Sequence, residues 1–185
     1  MTQITKRAIE QSLKNLLAEK PLTKVTISDI AADCGINRMT FYYHFKDIYD
    51  LVEWCCREDA RRALEGKPGE SSWQQGLLRI FHTVQENKVF VLNVYRCIHQ
   101  EKLESYLKPL VDDLVLTIIR QELGTMTVAE EDQAFLARIY CHILIGVMMD
   151  WIKEDMRTDP EGMVGQLSIL LTGTMADGLR RFAAS

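Results

Sequence analysis

The residues in this chain best placed to do chemistry lie between Val25 and Asp50, V-T-I-S-D-I-A-A-D-C-G-I-N-R-M-T-F-Y-Y-H-F-K-D-I-Y-D. The chemistry they suit is recognition of DNA, not bond breaking. Arg38 has the geometry to bond guanine, and Met39 and Thr40 offer apolar contact to a thymine methyl. Tyr42, Tyr43 and His44 suit phosphate contacts. Lys46 adds a cation at the expected start of the next helix, where backbone N–H groups also favour a phosphate. Asn37, and Thr26 and Ser28 one helix earlier, complete the expected DNA contacts. No paired catalytic carboxylates, nucleophile elbow, phosphate loop or metal motif accompanies them. The sequence therefore reads as a binding protein and not an enzyme, with no cofactor and no metal.

Local rules explain how such residues are held. Thr26 is a good helix N-cap, because its hydroxyl accepts from an orphan donor of the first turn, and Asp29 stands at the reciprocal position of a capping box. Ile27, Ile30 and Ala31 form one buried face. Gly35 ends that helix, and Ile36 plugs the turn into the core. Asn37 caps a second helix over 38–45, with Phe41 and Phe45 inward and the remaining side chains outward or sideways. Two short helices joined by a tight turn are the unit that sets side chains in a major groove.

The runs T-I-S-D-I-A, G-I-N-R-M-T-F-Y-Y-H-F-K and D-L at Asp50 and Leu51 resemble the TetR family of one-component transcriptional repressors. Pro21-Leu22 departs from the Gly more often found before the second helix, and Met39 from a small residue. The spacing of the aromatics and the C-terminal layout also resemble the subgroup related to dihydroxyacetone kinase regulators. The resemblance implies nine helices, a homodimer, a palindromic operator and a small-molecule effector.

Composition narrows the rest. The chain has 185 residues, is 47% hydrophobic and carries a net charge of −4. Residues 1–50 hold seven Lys/Arg and six acids, so the acidity sits in the remainder. A head with a net of +1 is a thin electrostatic footprint and calls for two copies on the DNA. Five cysteines, Cys34, Cys55, Cys56, Cys97 and Cys141, read as buried thiols rather than a disulfide framework. No stretch reads as a membrane span, and the first six residues carry no apolar signal region, so the expected location is cytoplasmic, with no membrane partner.

Helical periodicity runs through the whole chain, which predicts an all-α fold: a helix-turn-helix domain over 1–50 and a regulatory and dimerisation domain over 51–185. Helices are expected over 3–20, 46–65, 72–87, 89–99, 103–123 and from a Thr127 cap to 156, with a linker at 66–72. Pro109 is expected to kink its helix or mark its start. Asp159-Pro160 opens the last helix, over 160–183.

The helices over about 129–156 and 160–183 are apolar enough, and rich enough in Gly165, Ser168, Gly173 and Gly178, to pair with their copies as a four-helix bundle. The alternative is that both bury within their own domain.

Trp73, His82, Asn93, Tyr95, Arg96, His99, Tyr106, Tyr140, His142 and Trp151 are candidate pocket residues. Of these, His82, Tyr95, Arg96, His99, Tyr140, His142 and Trp151 are the ligand-binding expectation. The competing reading gives the C-terminal domain a protein partner instead of a metabolite.

Overall fold

The computed structural model describes residues 2–64, 72–98 and 100–184. The expected linker, apart from Ser72, and the candidate His99 lie outside the described residues. Among the described residues all regular structure is helical: α1 (Thr2–Glu19), a 3-10 turn (Leu22–Lys24), α2 (Ile27–Asp33), α3 (Arg38–His44), α4 (Ile48–Leu64), α5 (Trp73–Glu86), α6 (Lys88–Cys97), α7 (Gln100–Leu123), α8 (Glu130–Lys153), α9 (Pro160–Leu171) and α10 (Thr174–Ala183). The nine expected helices are present, the ninth as two segments.

That break has a local cause. Gly173 takes φ +80°, a left-handed conformation that ends α9 and caps α10. The turn lets α10 fold back on α8, where a Cβ on Gly178 would come within 3.1 Å of Leu136 Cδ2. Gly178 thus serves contact within the chain.

Other boundaries differ from expectation for identifiable reasons. Helix α8 starts at Glu130, not after a Thr127 cap. Its N-cap is Ala129, with no side-chain bond. Buried Val128 anchors the entry, Gln133 Nε2 donates to the Val128 carbonyl at 2.8 Å, and Glu130, Glu131 and Asp132 answer the helix dipole. Pro109 sits inside a continuous α7. The carbonyl it leaves without a donor is that of Ser105, which is exposed and open to solvation. Helix α8 is also long and apolar enough to cross a membrane by length and composition. The sequence expectation of no such stretch needs that correction: α8 packs its domain on one side and carries an apolar stripe on the other.

The core runs unbroken from the head to the C-terminal helices. Ile9, Leu13, Ile30, Phe41, Leu51 and Val52 join Leu77, Phe81, Val111, Leu144 and Met148 in one buried cluster. Two polar clasps tie the head to α4 and α6. In the first, buried Glu10 on α1 accepts from Arg62 of α4 at 2.9 and 3.2 Å and pairs with Lys14 at 2.9 Å. Lys14 also donates to both oxygens of Asp59 at 3.0 and 2.9 Å. Burial pulls the Lys14 pKa down, but its bonds to Asp59 and Glu10 outweigh this and hold it above the ordinary lysine value. In the second, Asn93 of α6 accepts from the Leu22 N–H at 3.2 Å and donates to the Leu17 carbonyl at 3.4 Å.

Candidate nucleic-acid interface

The recognition unit is built from caps. Thr26 Oγ1 accepts from the Asp29 N–H at 3.1 Å, and Asp29 accepts from the Thr26 N–H at 2.8 Å, which completes the box. Lys20 reaches Asp29 at 2.8 Å and pins the end of α1 to α2. The Lys20 hydrogen bond, helped by Thr26, holds the Asp29 carboxyl at about 2, below the usual carboxylate range.

A depressed acid stabilises the fold once pH exceeds its unfolded value, roughly 4, and loses that effect as pH falls toward 2. Asp29→Asn should therefore lower the urea midpoint at neutral pH. The gap from wild type should close as pH approaches 2. A gap that persists at that pH would show that Asp29 acts through something other than its charge.

Gly35 (φ +68°) makes the turn, and Ile36 is partly buried against the core. Asn37 Oδ1 then accepts from Thr40 N at 2.7 Å and from Thr40 Oγ1 at 3.1 Å, which starts α3. Phe41 and Phe45 are buried, as the sequence predicts. Phe45 meets Trp54 edge-on at 5.7 Å, with the Lys6 ammonium over both rings. With one face sealed this way, α3 turns the others outward: Met39 is 74% and Tyr43 80% exposed, and Arg38 and Tyr42 are exposed too. Tyr43 packs edge-on against His44 at 5.0 Å. No ion pair within the chain engages Arg38 or the Lys46 ammonium among the described residues.

The structure qualifies three expected contacts. Thr26 and Asn37 spend a side-chain oxygen on capping, so Asn37 offers its amide N–H groups and Thr26 its exposed hydroxyl. Ser28 is exposed on the first turn of α2. Lys46 precedes α4, which starts at Ile48. Its backbone N–H donates to Asp50 at 2.9 Å, and Asp47 accepts from the Asp50 N–H at 2.8 Å. Two carboxylates thus engage N–H groups at this terminus, and the Lys46 ammonium is the cation beside it.

The ligand-binding candidates do not converge. His82 pairs with Glu161 at 3.1 Å on the surface, and Arg96 pairs with Asp155 at 3.2 Å. His142 is exposed and bonded to the Arg138 carbonyl of its own helix. Tyr140 meets the Thr174 hydroxyl at 2.8 Å, joining α8 to α10. Trp151 is buried, donates to the Thr158 carbonyl at 2.7 Å and stacks edge-on with Phe81. Tyr95 packs partly buried against the core. Of these, His142 lines an open cleft of about 440 Å³ between α7 and α8, and Tyr140 shares a small cavity with Trp73, so the described candidates are spread over separate sites.

A cavity of about 50 Å³ lies elsewhere, among α4 to α7, walled by Cys56, Asp59, Val84, Phe90, Leu103 and Tyr106. Of these, the sequence singles out Tyr106. The others carry no sequence signal, being apolar or charged residues at ordinary helical positions. All five cysteines are free, and burial pushes the Cys56 thiol to about 12, which makes it inert as a nucleophile.

Known proteins share this plan. A profile of bacterial regulatory proteins of the TetR family matches residues 12–55, and a transcriptional regulator C-terminal region matches residues 71–173. The chain is similar to the HTH-type dhaKLM operon transcriptional activator DhaS of Lactococcus lactis subsp. lactis (strain IL1403). The two are 26% identical over 92 residues, 50% of this chain and 49% of that protein. It is also similar to the uncharacterized HTH-type transcriptional regulator YerO of Bacillus subtilis (strain 168), 28% identical across 50% of this chain and 35% of that one. The matched part thus spans half or less of the length of these curated relatives.

Two solved structures share the fold. The dihydroxyacetone kinase operon activator DhaS superposes with a TM-score of 0.76 at 20% identity, over 93% of this chain and 96% of that one. A TetR-family transcriptional regulator from Streptomyces coelicolor superposes with a TM-score of 0.61 at 17% identity, over 98% and 89%.

Proposed function

This chain belongs to the TetR family of bacterial regulatory proteins and is a DNA-binding transcriptional regulator, not an enzyme; from that premise we propose that two copies bind a palindromic operator in the cytoplasm and let go when a small-molecule effector binds. Residues 1–50 form the reading head and residues 51–185 the regulatory and dimerisation part. The observation that carries the reading is α3 itself. A seven-residue helix that buries Phe41 and leaves Met39, Tyr42 and Tyr43 in solvent is costly in water and suited to a groove.

In this reading Arg38, Met39 and Thr40 face base edges. Tyr42, Tyr43, His44 and the Lys46 ammonium hold phosphates, with Thr26, Ser28 and the Asn37 amide at the flanks. Dimerisation uses α8 with α9 and α10. Phe135, Ile139 and Ile143 are exposed at four-residue spacing on α8, and Ile169 and Leu170 on α9 are 83% and 69% exposed.

The test is titration of the DNA upstream of the coding region with wild type and Tyr42→Ala. Loss of a hydrogen bond to a charged phosphate costs about 1.5–3 kcal/mol, so each copy should lose about tenfold or more in affinity. Sedimentation should still report a dimer. Unchanged affinity would place the reading surface away from α3. Repression is the expected sign. DhaS is named an activator, so in vitro transcription from the bound promoter decides: less transcript supports repression, and more transfers the activating role.

A protein partner for the C-terminal domain is the second reading, favoured by the dispersal of the polar candidates and by the exposure of Ile169 and Leu170. In that case Leu170→Glu abolishes regulation while the dimer and operator affinity persist, whereas loss of the dimer would assign Leu170 to the interface between copies.

A further inference from the structure

Four helices meet at the cavity of about 50 Å³, and its walls are mainly apolar. Val84 comes from α5, Phe90 from α6, and Leu103 and Leu107 from α7. Tyr106 shares the wall and is 7% exposed, yet its buried hydroxyl has no partner among the described residues. A phenol donor withdrawn from water without an acceptor is costly, and such groups are rare in folded proteins. Burial first, and then the nearby Glu53 on α4, push the Tyr106 pKa to about 12, so the group stays a donor at neutral pH. Asp59 completes the wall, but both its oxygens are already engaged by Lys14. The walls are mainly apolar and hold no cation among the described lining residues, so an anion would lose its water there without gaining a partner. At about 50 Å³ the cavity is smaller than a molecule of about six heavy atoms, so an occupant of that size must part the helices that wall it.

We propose that this cavity takes a small, uncharged, largely apolar molecule with one hydrogen-bond acceptor, met by the Tyr106 hydroxyl. This deepens the effector reading above and rests on it. The position suits regulation. Asp59 in the wall is the residue that clasps α1 through Lys14, and Phe90 lies one turn before Asn93, which clasps Leu22 and Leu17. An occupant that spreads α4 from α6 presses on both ties to the head.

Cyclopentanone is the probe, with methylenecyclopentane as its isostere lacking the acceptor and butyrate as the anion. Binding to the full chain is followed by methyl NMR at Val84, Leu103 and Leu107. Cyclopentanone should shift these methyls saturably, and butyrate should not. Tyr106→Phe removes only a donor without a partner, so it should fold. It should weaken cyclopentanone about two- to tenfold, the range for one neutral hydrogen bond, and leave methylenecyclopentane unchanged.

Equal cyclopentanone binding in Tyr106→Phe, tighter binding of butyrate, or no shift from any probe (a cavity that admits water only) would each overturn the proposal. DNA titration of the same samples separates the two readings. Operator binding without probe binding sinks this inference alone, and probe binding without operator binding sinks the regulator mechanism.

Discussion

Replacing Ile139 with Arg should turn the proposed dimer into a monomer and lower operator affinity by about 10²–10⁴-fold, the contribution that a second tethered head makes to avidity. Phe135, Ile139 and Ile143 recur every fourth residue on α8, and Gly146 continues the same face one turn on. A Cβ at Gly146 would meet nothing within 4 Å, so within one copy the glycine leaves an open notch beside Ile143. An apolar stripe ending in a notch fits a second helix at short distance. An arginine at its centre would be buried without a partner in the dimer but solvated in the monomer. Sedimentation equilibrium and DNA titration read the two effects. Gln121→Arg, on exposed α7 surface, is the control and should change neither. A dimeric Ile139→Arg with full affinity would move the interface off the α8 stripe.

The second large effect is on stability. Glu10→Ala should cost about 3 kcal/mol, at the low end for breaking a buried ion pair because Arg62 is 40% exposed and partly screened. Glu10 accepts two bonds from Arg62 and one from Lys14. Its loss leaves Lys14 on Asp59 alone and frees α4 from one of its two ties to α1. Chemical denaturation of Glu10→Ala, Arg62→Ala and the double variant gives the coupling directly. A strong positive coupling supports the clasp. A loss below about 1 kcal/mol would mean that solvent screens the cluster as it does an ordinary surface pair.

What the sequence by itself determined is what short-range rules govern. The capping box Thr26/Asp29, the Asn37 cap, the Gly35 turn and the inward pair Phe41 and Phe45 involve residues three or four apart, and all can be read along the chain. So can the all-helical class, because one period repeats throughout. Where local signals compete, legibility falls. Thr127 and Ala129 lie two residues apart, and buried Val128 decided which of them precedes the helix.

Only the tertiary structure decided the rest. Lys14 and Asp59 are 45 residues apart, Glu10 and Arg62 52, and Leu22 and Asn93 71. The cavity gathers walls from four helices, and its orphan donor is defined by the partner it lacks. Polar residue type was a poor guide there. His82, Arg96, Tyr140 and Trp151 satisfy their polar tips on four different neighbours. A buried polar atom must find a partner wherever packing supplies one, and periodicity along a single helix does not encode which neighbour that will be.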